Sequence, residues 1–199
     1  MSCAFFTTSA SEAAMHQSRA NLPSNSCMTK FVKRDPGLMR FLSICHGLSL
    51  CIWADQARPL LAERGGRDPR AARTLLEPWD IFRIVRARRS CEMVMLNERG
   101  EELLISIGAD HLCRSQPAFE VIQSLLALER HATTRELRGM LPVCADALPA
   151  TLGGLVRMAL LEEFRTTPCS TWELISPYAV QAFARACAIR AARAVGRTN

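Results

Sequence analysis

Residues 91–175 read CEMVMLNERGEELLISIGADHLCRSQPAFEVIQSLLALERHATTRELRGMLPVCADALPATLGGLVRMALLEEFRTTPCSTWELI, and the order of elements they encode decides the fold. Residues 80–86, 91–96 and 101–107 are short and rich in Ile, Val, Met and Leu, and Asn97-Glu98-Arg99-Gly100 offers a glycine for a left-handed turn position. They predict an antiparallel hairpin, 91–96 with 101–107, and one preceding strand.

Ser115 can cap free amides, Pro117 is tolerated in a first turn, and Phe119, Ile122, Leu125, Leu126 and Leu128 follow at helical spacing, which predicts a helix over 115–130. Thr133 and Glu136 have the spacing of a capping box. They open a short second helix with Leu137, Met140 and Leu141 on its apolar face, ended before Pro142. Asp146 is the expected cap of a third helix whose core face is Leu148, Leu152, Leu155, Val156 and Ala159. Residues 160–165 and 171–175 then read as two strands joined by a turn, and Ser176-Pro177 as the cap of a last helix carrying Tyr178, Val180, Phe183, Cys187 and Ile189.

Outward from this stretch the signals thin. Residues 1–27 are rich in Ser, Ala, Thr and Asn and read as disordered or as an over-extended start, with Met28 as an alternative beginning. Residues 28–75 read as a helical extension. Within it, an amphipathic helix is expected over 38–61, interrupted by Gly47 and Pro59. The uncharged run 41–54 follows Lys30, Lys33 and Arg34 in the manner of a signal peptide, but Asp35, Pro36 and His46 are out of place there. Fourteen uncharged residues fall short of the roughly twenty that a bilayer requires, so no membrane association is expected. The breakers Gly65, Gly66, Asp68 and Pro69 mark a boundary. The organisation expected is thus 1–27, a 28–75 extension, a 76–175 domain and a basic C-terminal helix over 176–199.

The formal charge of +6 comes from 25 basic and 19 acidic residues, and only Lys30 and Lys33 among the basic ones are lysines. Residues 1–80 carry +3, 81–107 carry +1, 108–175 carry −2 and 176–199 carry +4. The helical body is therefore slightly acidic and the positive field belongs to the tail. The nine cysteines are scattered without a CxxC pair, which reads as free thiols in a reducing, bacterial-type cytoplasm.

A hairpin, a long helix, a short capped helix and a third helix ending in Leu160-Leu161-Glu162-Glu163-Phe164 resemble the winged-helix superfamily over residues 91–175. The fold class expected is α+β, mostly α: a winged helix of β-hairpin, three helices and wing. The strands placed before the helices look most like PqqD-like peptide-recognition domains, and the chain also resembles the small C-terminal winged helix of JmjC-type ribosomal oxygenases. The first resemblance implies peptide binding without catalysis. The second implies only a binding or dimerisation accessory, a homodimer included. A JmjC barrel needs an iron-binding His-x-Asp/Glu pair and a distant His, and neither is present.

Two ligand classes stay open. For a protein or peptide partner, Leu103, Ile105 and Ile107 would form an edge strand that accepts an added strand through its backbone. Thr151, Gly153, Gly154 and Arg157 would then offer a smooth third-helix face. For duplex DNA and a transcription-regulatory role, the third helix would enter the major groove, with only Thr151 and Arg157 able to read or grip. Phosphate attraction would fall to Arg83, Arg86, Arg88 and Arg89 or to Arg185, Arg190, Arg193 and Arg197. The tail arginines read first as a solvated helix face and second as a phosphate grip, and Gly153-Gly154 read also as close packing against another helix. His16, His46, His111 and His131 have no carboxylate at a telling spacing, and no nucleophile elbow or phosphate loop occurs. No catalysis, metal or cofactor is therefore expected.

Overall fold

Helix formation begins where Asp35 separates two amphipathic segments: its carboxylate accepts from the Leu38 amide at 3.1 Å and starts α2 (Pro36–Gly47) after α1 (Asn25–Lys33). The computed structural model describes residues 25–47, 52–53, 68–87, 91–129, 131–141, 146–166, 169–174 and 177–196. After β1 (Ile52–Trp53) come α3 (Pro69–Leu76), whose cap Asp68 accepts from the Arg70 and Ala71 amides, and a 3-10 turn at Glu77–Trp79. Strands β2 (Phe82–Ala87) and β3 (Cys91–Leu96) lead into α4 (Glu98–Arg114) and α5 (Gln116–Ala127). Then follow β4 (His131–Thr133), α6 (Thr134–Met140), α7 (Leu148–Arg157), β5 (Leu161–Thr166), β6 (Cys169–Leu174) and α8 (Tyr178–Val195). The chain is α+β and mostly helical, with two antiparallel three-stranded sheets in the orders β1-β3-β2 and β4-β6-β5.

Residues 101–107 are not a strand. Asn97 opens α4 as a cap, its side chain accepting from the Gly100 amide at 2.9 Å, and the helix continues to Arg114. Gly100 serves close packing: a Cβ there would lie 2.4 Å from the Ile81 carbonyl oxygen. The hairpin is formed instead by β2 and β3, with Ile84 opposite Val94. The long helix expected over 38–61 ends at Gly47, and β1 pairs with β3 beyond it. Residues 54–67 lie outside the described residues, as do 1–24. Asn25 to Cys27 of the segment expected to be unstructured belong to α1.

One cap also differs. Ala147, with no side-chain bond, precedes α7 in place of the expected Asp146. Pro177 is the cap of α8 as expected, with no side-chain bond, and Ser176 lies outside the described residues. The capping box holds in full: Glu136 N donates to Thr133 Oγ1 at 3.2 Å and Thr133 N to Glu136 Oε2 at 2.7 Å. Ser115 caps α5 by accepting from the Ala118 amide.

Packing centres on α4. Leu104, Ile107 and Leu112 are fully buried on it, and α8 runs along it. Gly108 lets α8 approach, since a Cβ there would meet Tyr178 Oη at 2.7 Å and Ala182 Cβ at 2.8 Å. Buried Tyr178 donates to the Met158 carbonyl at 3.3 Å, which ties α8 to the end of α7. His46 of α2 shares a 3.1 Å hydrogen bond between Nε2 and Gln181 Oε1 of α8. The buried apolar residues form one cluster that reaches from Met28 through α4 and the second sheet to Ala186.

In that second sheet, Ala132, Leu161, Trp172 and Leu174 are buried. Their alternates His131, Thr133, Thr171, Glu173, Glu162 and Phe164 therefore make up the other face. Ala159, at φ 53, turns the chain from α7 into β5. Among the described residues no helix is long and apolar enough to cross a membrane.

Candidate recognition surface

Helix α7 packs through Leu148, Leu152 and Leu155, all buried, which leaves Pro149, Ala150, Gly153 and Arg157 exposed and Thr151 and Gly154 half-buried. The two glycines are not equivalent. A Cβ on Gly153 would meet nothing within 4 Å, whereas one on Gly154 would lie 3.9 Å from Cε1 and Nε2 of His111 on α4. The smooth face is therefore Gly153 and its neighbours, and Gly154 turns toward α4.

The hairpin beside α7 is acidic. Glu162 stands directly opposite Glu173, which in turn stands opposite His131 on β4. Like charges placed opposite each other in a sheet repel; Glu173 is exposed and Glu162 half-buried. On the other face Glu163 accepts from Ser170 Oγ at 2.8 Å and faces Arg165 Nε at 3.5 Å.

At the far end of α7, Arg157 is exposed and has no hydrogen-bond or ion-pair partner among the described residues. Its neighbours come from two other helices. Lys33 at the end of α1 donates to Asp110 Oδ2 at 2.5 Å, and Arg114 Nε donates to Asp110 Oδ1 at 2.8 Å. Burial raises the Asp110 carboxyl, but the hydrogen bonds and charges of Lys33 and Arg114 outweigh it and hold the group below its ordinary value. Burial, followed by the charge of Lys33, lowers the His111 imidazole. Arg157 adds to that, against the pull of Asp110. Neither the sequence spacing of Lys33 nor that of His111 signals this meeting, because only the tertiary fold brings the ends of α1 and α7 near this turn of α4.

The other expected site residues are dispersed. Leu103 and Ile107 are buried in the core and their amides belong to α4, so they cannot accept an added strand. Ile105 lines an open depression with Glu98, Arg99, Glu101 and Glu102. Arg185 pairs with Glu102. Arg190 donates to the Leu112 carbonyl at 2.9 Å and to Gln116 Oε1 at 2.5 Å, and its guanidinium lies 3.8 Å from the Phe119 ring centroid. These two arginines fasten α8 to α4 and α5, while Arg193 is exposed. Arg83 is exposed on β2, Arg86 of the same strand is in register with Glu92 of β3, and Arg88, Arg89 and Arg197 lie outside the described residues.

Among the described residues no group of three or more His, Cys, Asp or Glu could hold a metal ion. The buried Cys45 thiol is pushed up to about 12 by burial, which removes its nucleophilic form at neutral pH. No protein-family model, curated protein or solved structure matches the chain.

Proposed function

We propose that the chain is a non-catalytic winged-helix recognition or regulatory module whose ligand is another polypeptide. The winged-helix reading is supported by the order α5, β4, α6, α7, β5, β6 and by the sheet order β4-β6-β5, in which the hairpin after the third helix pairs with the short strand after the first. The polypeptide reading is carried by one observation. The surface that would face a duplex combines a third-helix face of Pro149, Ala150, Thr151 and Gly153 with a hairpin bearing Glu162 opposite Glu173. Phosphate attraction supplies most non-specific DNA affinity, and an acidic wing opposes it. Pro149, Ala150 and Gly153 have no group that reaches base edges, and a face so short of readers favours close approach of a partner backbone instead.

Among the described residues Cys45, Cys113 and Cys187 form no disulfide, which supports a reducing compartment such as a bacterial cytoplasm. The alternative is a DNA-binding transcriptional regulator of winged helix-turn-helix type, favoured by the unpaired Arg157 at the end of α7. A mobility-shift assay with duplex DNA at about 50 mM and about 200 mM salt separates the two. Absence of a shift at the lower salt is expected, and tight binding that weakens steeply with salt would replace the polypeptide reading with the DNA one.

A further inference from the structure

We infer that the junction of α1, α4 and α7 is a carboxylate-binding site, in which Lys33, His111 and Arg157 receive an acidic side chain of a partner polypeptide. This deepens the polypeptide reading and rests on it. Three features of the junction carry it.

The first is convergence. Lys33 is joined through Asp110 to the same turn of α4 that carries His111. His111 in turn faces Gly154, which is one helical turn before Arg157 on α7. Helices α1, α4 and α7 thus each bring one basic group to one place, and Gly154 puts no side chain against the imidazole.

The second is unspent capacity. Arg157 has no partner among the described residues. The His111 ring nitrogens have none either, and they are not among the buried polar atoms sealed from solvent. Lys33 gives one hydrogen bond to Asp110, and an ammonium has three to give. Arg114 shares Asp110 with it, so a single carboxylate stands against two cations before Arg157 is counted. A guanidinium fork with an ammonium and an imidazole beside it fits the planar, two-oxygen geometry of a carboxylate.

The third is isolation. A DNA backbone needs cations at successive phosphates along the surface, whereas the hairpin that follows α7 carries Glu162 opposite Glu173. One compact cationic site on a helix followed by an acidic hairpin suits one anionic side chain better than a phosphate chain.

The site also has a pH response. The charged groups facing the ring are Lys33 from α1, Arg157 from α7 and Asp110 on α4 itself. From α8, Arg185 and Arg190 are turned to Glu102 and to Leu112 and Gln116. The imidazole is neutral at neutral pH, and a bound carboxylate would favour its charged form. Affinity therefore rises on acidification.

The test uses the full chain with fluorescein-labelled hexaglutamate, hexalysine and a short DNA duplex at about 50 mM salt, read by polarisation. The expected result is saturable binding of hexaglutamate, about tenfold weaker in Arg157→Ala and in His111→Gln, and unchanged in Arg193→Ala. Circular dichroism checks that the variants are folded. Equal hexaglutamate binding by wild type and Arg157→Ala, or binding of hexalysine alone, would overturn the carboxylate site and leave the polypeptide reading standing. Duplex binding stronger than hexaglutamate binding, and lost in Arg157→Ala, would overturn both.

Discussion

Gly108 and Gly153 carry the same residue type for opposite reasons, and their substitutions separate packing from propensity. At Gly108 an added methyl would be driven to 2.7 Å from Tyr178 Oη and 2.8 Å from Ala182 Cβ, on a face where both neighbours are fully buried. Neither can swing away, because Tyr178 is anchored to the Met158 carbonyl. Gly108→Ala should cost about 2 kcal/mol in urea denaturation, the order expected for overpacking in a rigid core. Gly153 sits mid-helix with nothing within 4 Å of a Cβ. Gly153→Ala should therefore stabilise by about 0.5–1 kcal/mol through propensity alone. Equal effects of the two changes would show that the approach of α8 to α4 is looser than described.

At the scale of the element, legibility followed how local the determining contacts are. The box of Thr133 and Glu136 involves neighbouring residues and nothing else, so four letters of sequence suffice to place α6. Thr133→Ala should cost about 1 kcal/mol, measured as a shift in denaturation midpoint at constant slope. Trp172, whose indole donates to Thr134 Oγ1 at 2.8 Å, should keep its native fluorescence. Residues 101–107 misled because Leu103, Ile105 and Ile107 alternate as strand residues do. The helical period appears only when Leu104, Ala109 and Leu112, all buried, are read with them. The candidate site divides in the same way: Gly154 and Arg157 share one short helix, whereas Lys33 and Asp110 are 77 positions apart.

That junction also makes a pH prediction. Burial, then Lys33 and Arg157, depress the His111 pKa, so on acidification the unfolded chain takes up this proton before the folded one does. The stability it contributes is complete above the ordinary histidine value of about 6.5 and is lost as pH falls through the lower folded value. Asp110, also depressed, adds a loss of the same sign further down, below the ordinary carboxylate range. His111→Gln should flatten the first decline and leave the second, as read from thermal midpoints across the acid range. A decline unchanged in that variant would assign it to other groups.

For the whole molecule, the composition suggests a helical extension over 28–75 and a separate domain over 76–175, while the packing joins them. Met28 and Val32 of α1, Leu42 of α2, Ile107 and Leu112 of α4, Leu155 of α7 and Leu161 of β5 belong to one apolar cluster. The boundary expected at Gly65 and Gly66 rests on local conformation alone, because glycine and proline carry no information about what packs on the far side. Two tryptophans can decide whether the unit is cooperative. Trp79 stacks on Phe31 of α1 with ring centroids 5.0 Å apart, and Trp172 is buried under the second sheet. With Trp53 replaced by Phe, Trp79→Phe leaves a reporter at the sheet and Trp172→Phe leaves one at the N-terminal helices. A single core makes both report the same urea midpoint, and Leu104→Ala, at a fully buried position on α4, should lower both midpoints together, with a loss of stability of about 3 kcal/mol. If the Trp79 transition preceded the Trp172 transition, or if Leu104→Ala moved only one of them, α1 to α3 would be an appended unit. The α1 contribution to the Lys33, His111 and Arg157 junction would then be lost before the rest of the chain unfolds, and hexaglutamate binding would disappear at the lower of the two midpoints.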